Sequence, residues 1–175
     1  EYVLEDIDFS VDPGQTVAFI GSTGSGKSTL INLIPRFFDV TDGAIRIGNI
    51  DIRDVKQHDL RNRIGYIPQK ATLFSGTIES NLRYADENAT DSTIENALEV
   101  SQAKEFVSKM PSGIEEPISQ GGTNVSGGQK QRLSIARALV KNADIYIFDD
   151  TFSALDYHTD ALLREALNKM VKEKH

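Results

Sequence analysis

Two periodicities divide the chain. Ile7, Phe9 and Val11 alternate with Asp8 and Ser10, which predicts a strand over Val3 to Val11. Asp12-Pro13-Gly14-Gln15 has the composition of a turn, and Thr16 to Ile20 that of a buried strand. A glycine-rich loop follows. From Lys27 to Phe38 the apolar residues take helical spacing, with Pro35 marking the last turns. Asp42-Gly43 is a turn between further short strands, Ala44 to Ile47 and Ile50 to Ile52. Ile64-Gly65-Tyr66-Ile67 is a buried strand stopped by Pro68.

From about Thr77 to Lys109 the pattern is helical. Ser92 and Glu95 have capping-box spacing, and Ile94, Ala97, Leu98, Phe106, Val107 and Met110 can share one face. Pro111, Gly113 and Pro117 interrupt the pattern. It resumes over Gly127 to Val140, where Leu133, Ile135, Ala136 and Leu139 are the expected core face. Ile145 to Phe148 is a continuous apolar run, expected as a strand covered on both faces. Asp156 or Thr159 can open a last helix with the stripe Leu162, Leu163, Ala166, Leu167 and Met170. There is no internal repeat. The expected fold is α/β: a core over 1–76 and 141–175, interrupted by a helical insert over 77–140.

Composition narrows the functional classes. The 175 residues suit one domain, with 39% hydrophobic and 26% charged positions. The net charge is −7, and no basic stripe marks a nucleic-acid face, so no nucleic-acid partner is expected. The absence of cysteine excludes a disulfide framework and a thiolate metal site. No apolar run reaches membrane-spanning length, so a membrane connection must come through another domain or subunit.

Gly21-Ser22-Thr23-Gly24-Ser25-Gly26-Lys27-Ser28 matches the P-loop pattern, and Thr29 continues it into the helix. Glycines let the backbone wrap closely around phosphate, and loop N–H groups at a helix start face an anion. In this motif Lys27 reaches the β- and γ-phosphates and the Ser28 hydroxyl ligates Mg²⁺. ATP and Mg²⁺ are therefore the expected ligands. Asp149 ends the apolar run at 145–148, and a buried strand that delivers a carboxylate beside a P-loop reads as a Walker B element. Alone, the same pattern also fits a strand ending in a helix or turn cap.

Further along the chain stands Asn124-Val125-Ser126-Gly127-Gly128-Gln129, followed by Lys130-Gln131-Arg132-Leu133-Ser134-Ile135-Ala136-Arg137-Ala138-Leu139. Gln69 lies between the strand at 64–67 and the insert, and Ser153-Ala154-Leu155-Asp156 follows Asp149. With these residues in this order the chain resembles the ATP-binding cassette family over essentially its whole length. The resemblance implies a P-loop NTPase (RecA-like) core with an antiparallel β subdomain and an α-helical insert. It identifies Ser126, Gly127, Gly128 and Gln129 with the signature motif, with Val125 where leucine is usual. Gln69 is identified with the Q-loop glutamine, a catalytic and metal-facing residue, and 153–156 with the D-loop. It implies a head-to-tail dimer with a second nucleotide-binding domain, whose signature closes on the γ-phosphate. Arg36-Phe37-Phe38-Asp39 and Leu73-Phe74-Ser75-Gly76-Thr77-Ile78 are similar to exporter-type domains. In those, a transmembrane domain contacts the Q-loop region and the ATPase lies on the cytoplasmic face of the cell membrane.

Two further positions depart from the family. Asp150 stands where glutamate usually polarises the attacking water, and its carboxylate is shorter by about 1.5 Å. Misplacement by about 1 Å can cost on the order of 10²-fold in rate. Gln120 stands where glutamate is common ahead of the signature. These departures resemble the half of a heterodimeric exporter that carries a degenerate site. Both ends of the chain read as cut, at Tyr2-Val3-Leu4 and at Lys172 to His175. The family's switch histidine and adenine-stacking aromatic are expected outside the chain, with His175 too early and Tyr2 a strand residue. The fragment alone is accordingly expected to bind nucleotide poorly. His58 and His158 read as surface residues. An importer subunit, or an ATPase of the same family acting on ribosomes or DNA, is the alternative.

Overall fold

The computed structural model describes residues 3–173. Its centre is a parallel pair of strands. In chain order the elements are α1 (Lys27–Leu33), β1 (Arg46–Ile47), β2 (Ile50–Asp51), α2 (Gln57–Asn62), β3 (Ile64–Ile67), β4 (Gly76–Thr77) and α3 (Ile78–Arg83). There follow α4 (Asp91–Val100), α5 (Lys104–Ser108), β5 (Pro117–Ile118), α6 (Gly127–Val140), β6 (Ile145–Phe148) and α7 (Tyr157–Glu173). β3 and β6 pair in register, Ile64 with Ile145 through Ile67 with Phe148. Tyr146 explains Gly65: a Cβ there would meet the Tyr146 ring at 2.6 Å. The ladder continues one step, Asp149 N–H donating to the Ile67 carbonyl at 2.9 Å. The buried Thr151 hydroxyl donates to the same carbonyl at 3.1 Å. Both strands thus end at one edge, the place where parallel sheets bind ligands.

α1 begins at Gly26, whose φ of 88° is left-handed, and stops just before Pro35, which cannot continue a helix. Its Ile31 packs with Ile52, Leu60, Ile64 and Ile147 in one core cluster. The second cluster joins the helices: Ile78, Leu82, Ile94, Leu98, Leu133 and Ile135 pack with Ile67 of β3 and Leu163 of α7. The insert therefore shares its core with the strand pair. Capping boxes open α3, between Thr77 and Ser80, and α6, between Ser126 and Gln129. Buried Asn81 accepts from Phe74 N–H at 2.8 Å and donates to the Phe74 and Thr77 carbonyls, both at 2.9 Å. This closes the loop between β3 and α3. No helix among the described residues is long and apolar enough to cross a membrane.

Several expectations are corrected. Val3 to Val11 and Thr16 to Ile20 form no ladder, and Ile7, Phe9 and Ile20 are 51%, 48% and 95% exposed. Alternation marks a strand, but a strand needs a neighbour for its backbone groups, and these segments find none among the described residues. Of the expected antiparallel β layer, the short hairpin β1–β2 is formed. Thr90, not Ser92, caps α4, accepting from Thr93 N–H at 3.2 Å. β6 is packed on both faces as expected, Ile145 and Ile147 against the cluster around Ile31 and Tyr146 and Phe148 against the helical cluster, with Ile147 the most buried. Leu162 faces solvent while Leu163 is buried. Tyr2 and His175 lie outside the described residues; His58 and His158 are exposed.

Candidate nucleotide-binding site

The glycine-rich loop sits at the start of α1, beside the shared edge of β3 and β6. Two of its glycines are required by conformation, Gly24 at φ 82° and Gly26 at φ 88°. Gly21 lies close under Ser25, whose hydroxyl a Cβ there would meet at 2.6 Å and would have to turn aside. Lys27 folds back over the loop, its Nζ donating to the carbonyls of Gly21 and Ser22, each at 2.7 Å. The ammonium is thus held at the loop's mouth by neutral acceptors that an anion outcompetes. Thr29 follows, partly buried in α1.

The loop and the end of β6 meet through one hydrogen bond. Ser28 Oγ donates to Asp149 Oδ1 at 2.8 Å, across 121 positions of sequence. The other oxygen, Asp149 Oδ2, lies 3.2 Å from Tyr66 Oη, which is also 2.9 Å from Asn32 Oδ1. Burial, then the Asp149 charge, pushes the Tyr66 phenol up to about 12, so it stays a neutral hydroxyl. Neither Tyr66 nor Asn32 was expected at the site. The available signal was a tyrosine hydroxyl in an otherwise aliphatic strand, and an asparagine one helical turn past Ser28.

Asp150 caps the 3₁₀ turn Thr151–Ala154 in a left-handed conformation, φ 46°, which aspartate tolerates better than most residues. Its side chain is exposed, and Gln69 Nε2 donates to Asp150 Oδ2 at 3.0 Å. The expected metal-facing amide and the expected base are therefore partners. Among the described residues no cluster of three His, Cys, Asp or Glu could hold a metal alone. The hydroxyl and carboxylate of Ser28 and Asp149 nevertheless fit Mg²⁺, which takes one or two carboxylates and draws its other ligands from water and phosphate. The fit is to a cation delivered with a nucleotide.

Among the described residues no hydrogen bond joins the loop at 21–29 to the signature residues at 124–129. Ser126 Oγ accepts from Gln129 N–H at 3.2 Å, and Gln129 Oε1 accepts from Ser126 N–H at 3.0 Å. A Cβ on Gly127 would meet nothing within 4 Å, and on Gly128 only the Ala154 carbonyl at 3.5 Å. Packing within the chain does not call for either glycine. Downstream, Asp156 accepts from Thr159 N–H at 3.0 Å and from its hydroxyl at 2.7 Å. The backbone bond, then the hydroxyl, holds the Asp156 carboxyl below its ordinary value.

Residues 4–153 match the ABC transporter family. An uncharacterized ABC transporter ATP-binding protein of Mycobacterium tuberculosis is 48% identical over 171 residues, 96% of this chain and 29% of that protein. A putative multidrug export ATP-binding/permease protein of Staphylococcus aureus is 44% identical, covering 98% and 30%. The ATP-dependent lipid A-core flippase of Coxiella burnetii is 42% identical, covering 98% and 29%. The chain thus spans under a third of the length of these relatives. The structure of a bacterial Atm1-family ABC exporter with ATP bound superposes with a TM-score of 0.88 at 36% identity, over 93% of this chain and 28% of that one. The chain belongs to the ABC transporter family, as an ATP-binding domain of exporter type built on the P-loop NTPase fold.

Proposed function

We propose that the domain binds ATP with Mg²⁺ on the loop at 21–29 and that its hydrolysis powers export of a substrate across a membrane. The observation that carries this reading is the 2.8 Å bond between Ser28 and Asp149, which unites the P-loop with the carboxylate strand. Backbone N–H groups of Gly21 through Thr29 surround the phosphates. Lys27 exchanges the Gly21 and Ser22 carbonyls for β- and γ-phosphate oxygens. Ser28, Asp149 and Gln69 would hold Mg²⁺, which would neutralise charge on the phosphates. Asp150 accepts the proton of the attacking water.

The second half of the site comes from a partner domain arranged head to tail, whose γ-phosphate meets Ser126, Gly127, Gly128 and Gln129 of this chain. The open space beside Gly127 supports this, because a helix start that lacks a side chain without internal need is free for an anion. A transmembrane domain docks near the Q-loop, where the Phe74 and Tyr84 rings meet at a tilt, centroids 4.7 Å apart, and stand 44% and 70% exposed. On this reading the domain works at the cytoplasmic face of the cell membrane. The likeness to a lipid A-core flippase and to a putative multidrug export protein favours export over the alternatives.

The finer reading is a hydrolysis-impaired site within a heterodimer. Asp150 is short for a base, and it is held by Gln69. In the full-length protein assembled with its native partner, Asp150→Asn then leaves ATP turnover nearly unchanged; loss of nearly all turnover supports a competent base and a symmetric dimer instead. The broader reading is tested by Lys27→Ala in the full-length protein. Removing a donor aimed at developing charge costs about 10²–10³ in turnover at the site that carries it. Phosphate release and ATP affinity both unaffected by that substitution would overturn it.

A further inference from the structure

We propose that Tyr66 is a positioning residue for the metal-holding carboxylate, locking Asp149 to the P-loop helix through Asn32. The inference rests on the reading of Ser28 and Asp149 as the Mg²⁺ site. Four side chains close a ring: Ser28 Oγ to Asp149 Oδ1 at 2.8 Å, Asp149 Oδ2 to Tyr66 Oη at 3.2 Å, and Tyr66 Oη to Asn32 Oδ1 at 2.9 Å. Ser28 and Asn32 stand one turn apart on α1, so the ring returns to the helix it left. The ring spans α1, β3 and β6, the three elements that meet at the phosphate site.

The phenol has one proton and two oxygens in reach. The charged carboxylate is the stronger acceptor, so the proton goes to Asp149. Amide oxygen and nitrogen are interchangeable by geometry, so Asn32 turns its NH₂ toward Tyr66 Oη. The phenol then donates to Asp149 and accepts from Asn32. The Tyr66 ring is itself held by the edge of Phe37, with centroids 5.4 Å apart. Both oxygens of Asp149 are consequently fixed, one by the serine that shares the metal and one by the phenol. A carboxylate with only one anchor would turn about its last torsion, which is broad.

The test is Mn²⁺ binding, followed by electron paramagnetic resonance, to the full-length protein with saturating ATPγS. Outer partners of metal ligands are worth 10–100-fold in affinity, so Tyr66→Phe is expected to weaken Mn²⁺ by about 10-fold. ATPγS affinity in EDTA should stay within about twofold of the parent, because the phenol touches the carboxylate and not the loop. Asn32→Ala, which leaves Tyr66 in place, should weaken Mn²⁺ in the same direction by about threefold, and carries the test if Tyr66→Phe fails to fold. Unchanged Mn²⁺ affinity in both variants overturns the lock, as does a matching loss of metal-free ATPγS binding, which marks a merely structural role. A parent protein that binds ATPγS but no Mn²⁺ overturns the underlying metal-site reading instead.

Discussion

Lengthening the Asp150 side chain should speed chemistry at this site. The residue is exposed, and its carboxylate lies 3.0 Å from Gln69 Nε2, so its reach is set by its own length and by that bond. Asp150→Glu adds one C–C bond, about 1.5 Å of reach if the left-handed backbone holds. Misplacement of a reacting group by about 1 Å costs on the order of 10²-fold, and a positioned base contributes about 10²–10⁴. Part of the added reach is spent in re-forming the bond to Gln69, so a rise in kcat of about 10- to 100-fold is expected, with KM little changed. The assay is phosphate release by the assembled full-length protein at saturating Mg·ATP. The partner's own base is neutralised beforehand, so that the remaining turnover belongs to this site. A kcat within twofold of the parent, or a change confined to KM, would refute the argument that length limits Asp150.

Other outcomes follow from single contacts. Gly127→Ala should stabilise α6 by up to about 1 kcal/mol, because the position is helical and open, yet slow turnover through a lost anion approach; thermal unfolding and phosphate release, measured together, must move in opposite senses. Asn81→Ala strips the partners from the Phe74 N–H and carbonyl, at a cost of about 1–3 kcal/mol, and should speed hydrogen exchange at the Phe74 amide. Asp156 has a depressed folded pKa, so its cap stabilises the start of α7 above the ordinary carboxylate value of 3.8. That stabilisation is lost as pH falls through the folded value, and Asp156→Asn should flatten this acid limb in a pH series of unfolding midpoints.

The elements closed by strong stop signals were legible in the sequence. Ile64–Ile67 and Ile145–Phe148 stand at their expected bounds, because four apolar residues closed by Pro68 and by Asp149 leave little choice. Gly127–Val140 does too, with Ser126 as its cap. The first two expected strands were not recoverable, since strand formation depends on a distant neighbour that alternation cannot supply. Thr90 outcompeted Ser92 because its β-region backbone and hydroxyl reach Thr93 N–H, a choice that spacing alone does not make. At the site, residue types and order announced Lys27, Ser28 and Asp149. The side-chain lengths that make Tyr66 meet Asn32 and Asp149 across three elements leave no periodic trace. Gln69 was expected to face a metal; its bond to Asp150 depends on where the turn after β6 throws that residue.

The central claim is that Ser28 and Asp149 together hold the cation that accompanies ATP. Equilibrium binding of labelled ATP to the full-length protein, in Mg²⁺ and in EDTA, tests it when parent and Ser28→Ala are compared. The account predicts that Mg²⁺ tightens ATP binding to the parent, and that Ser28→Ala keeps its affinity in EDTA but loses most of the gain from Mg²⁺. Equal gains from Mg²⁺ in the two proteins would contradict it.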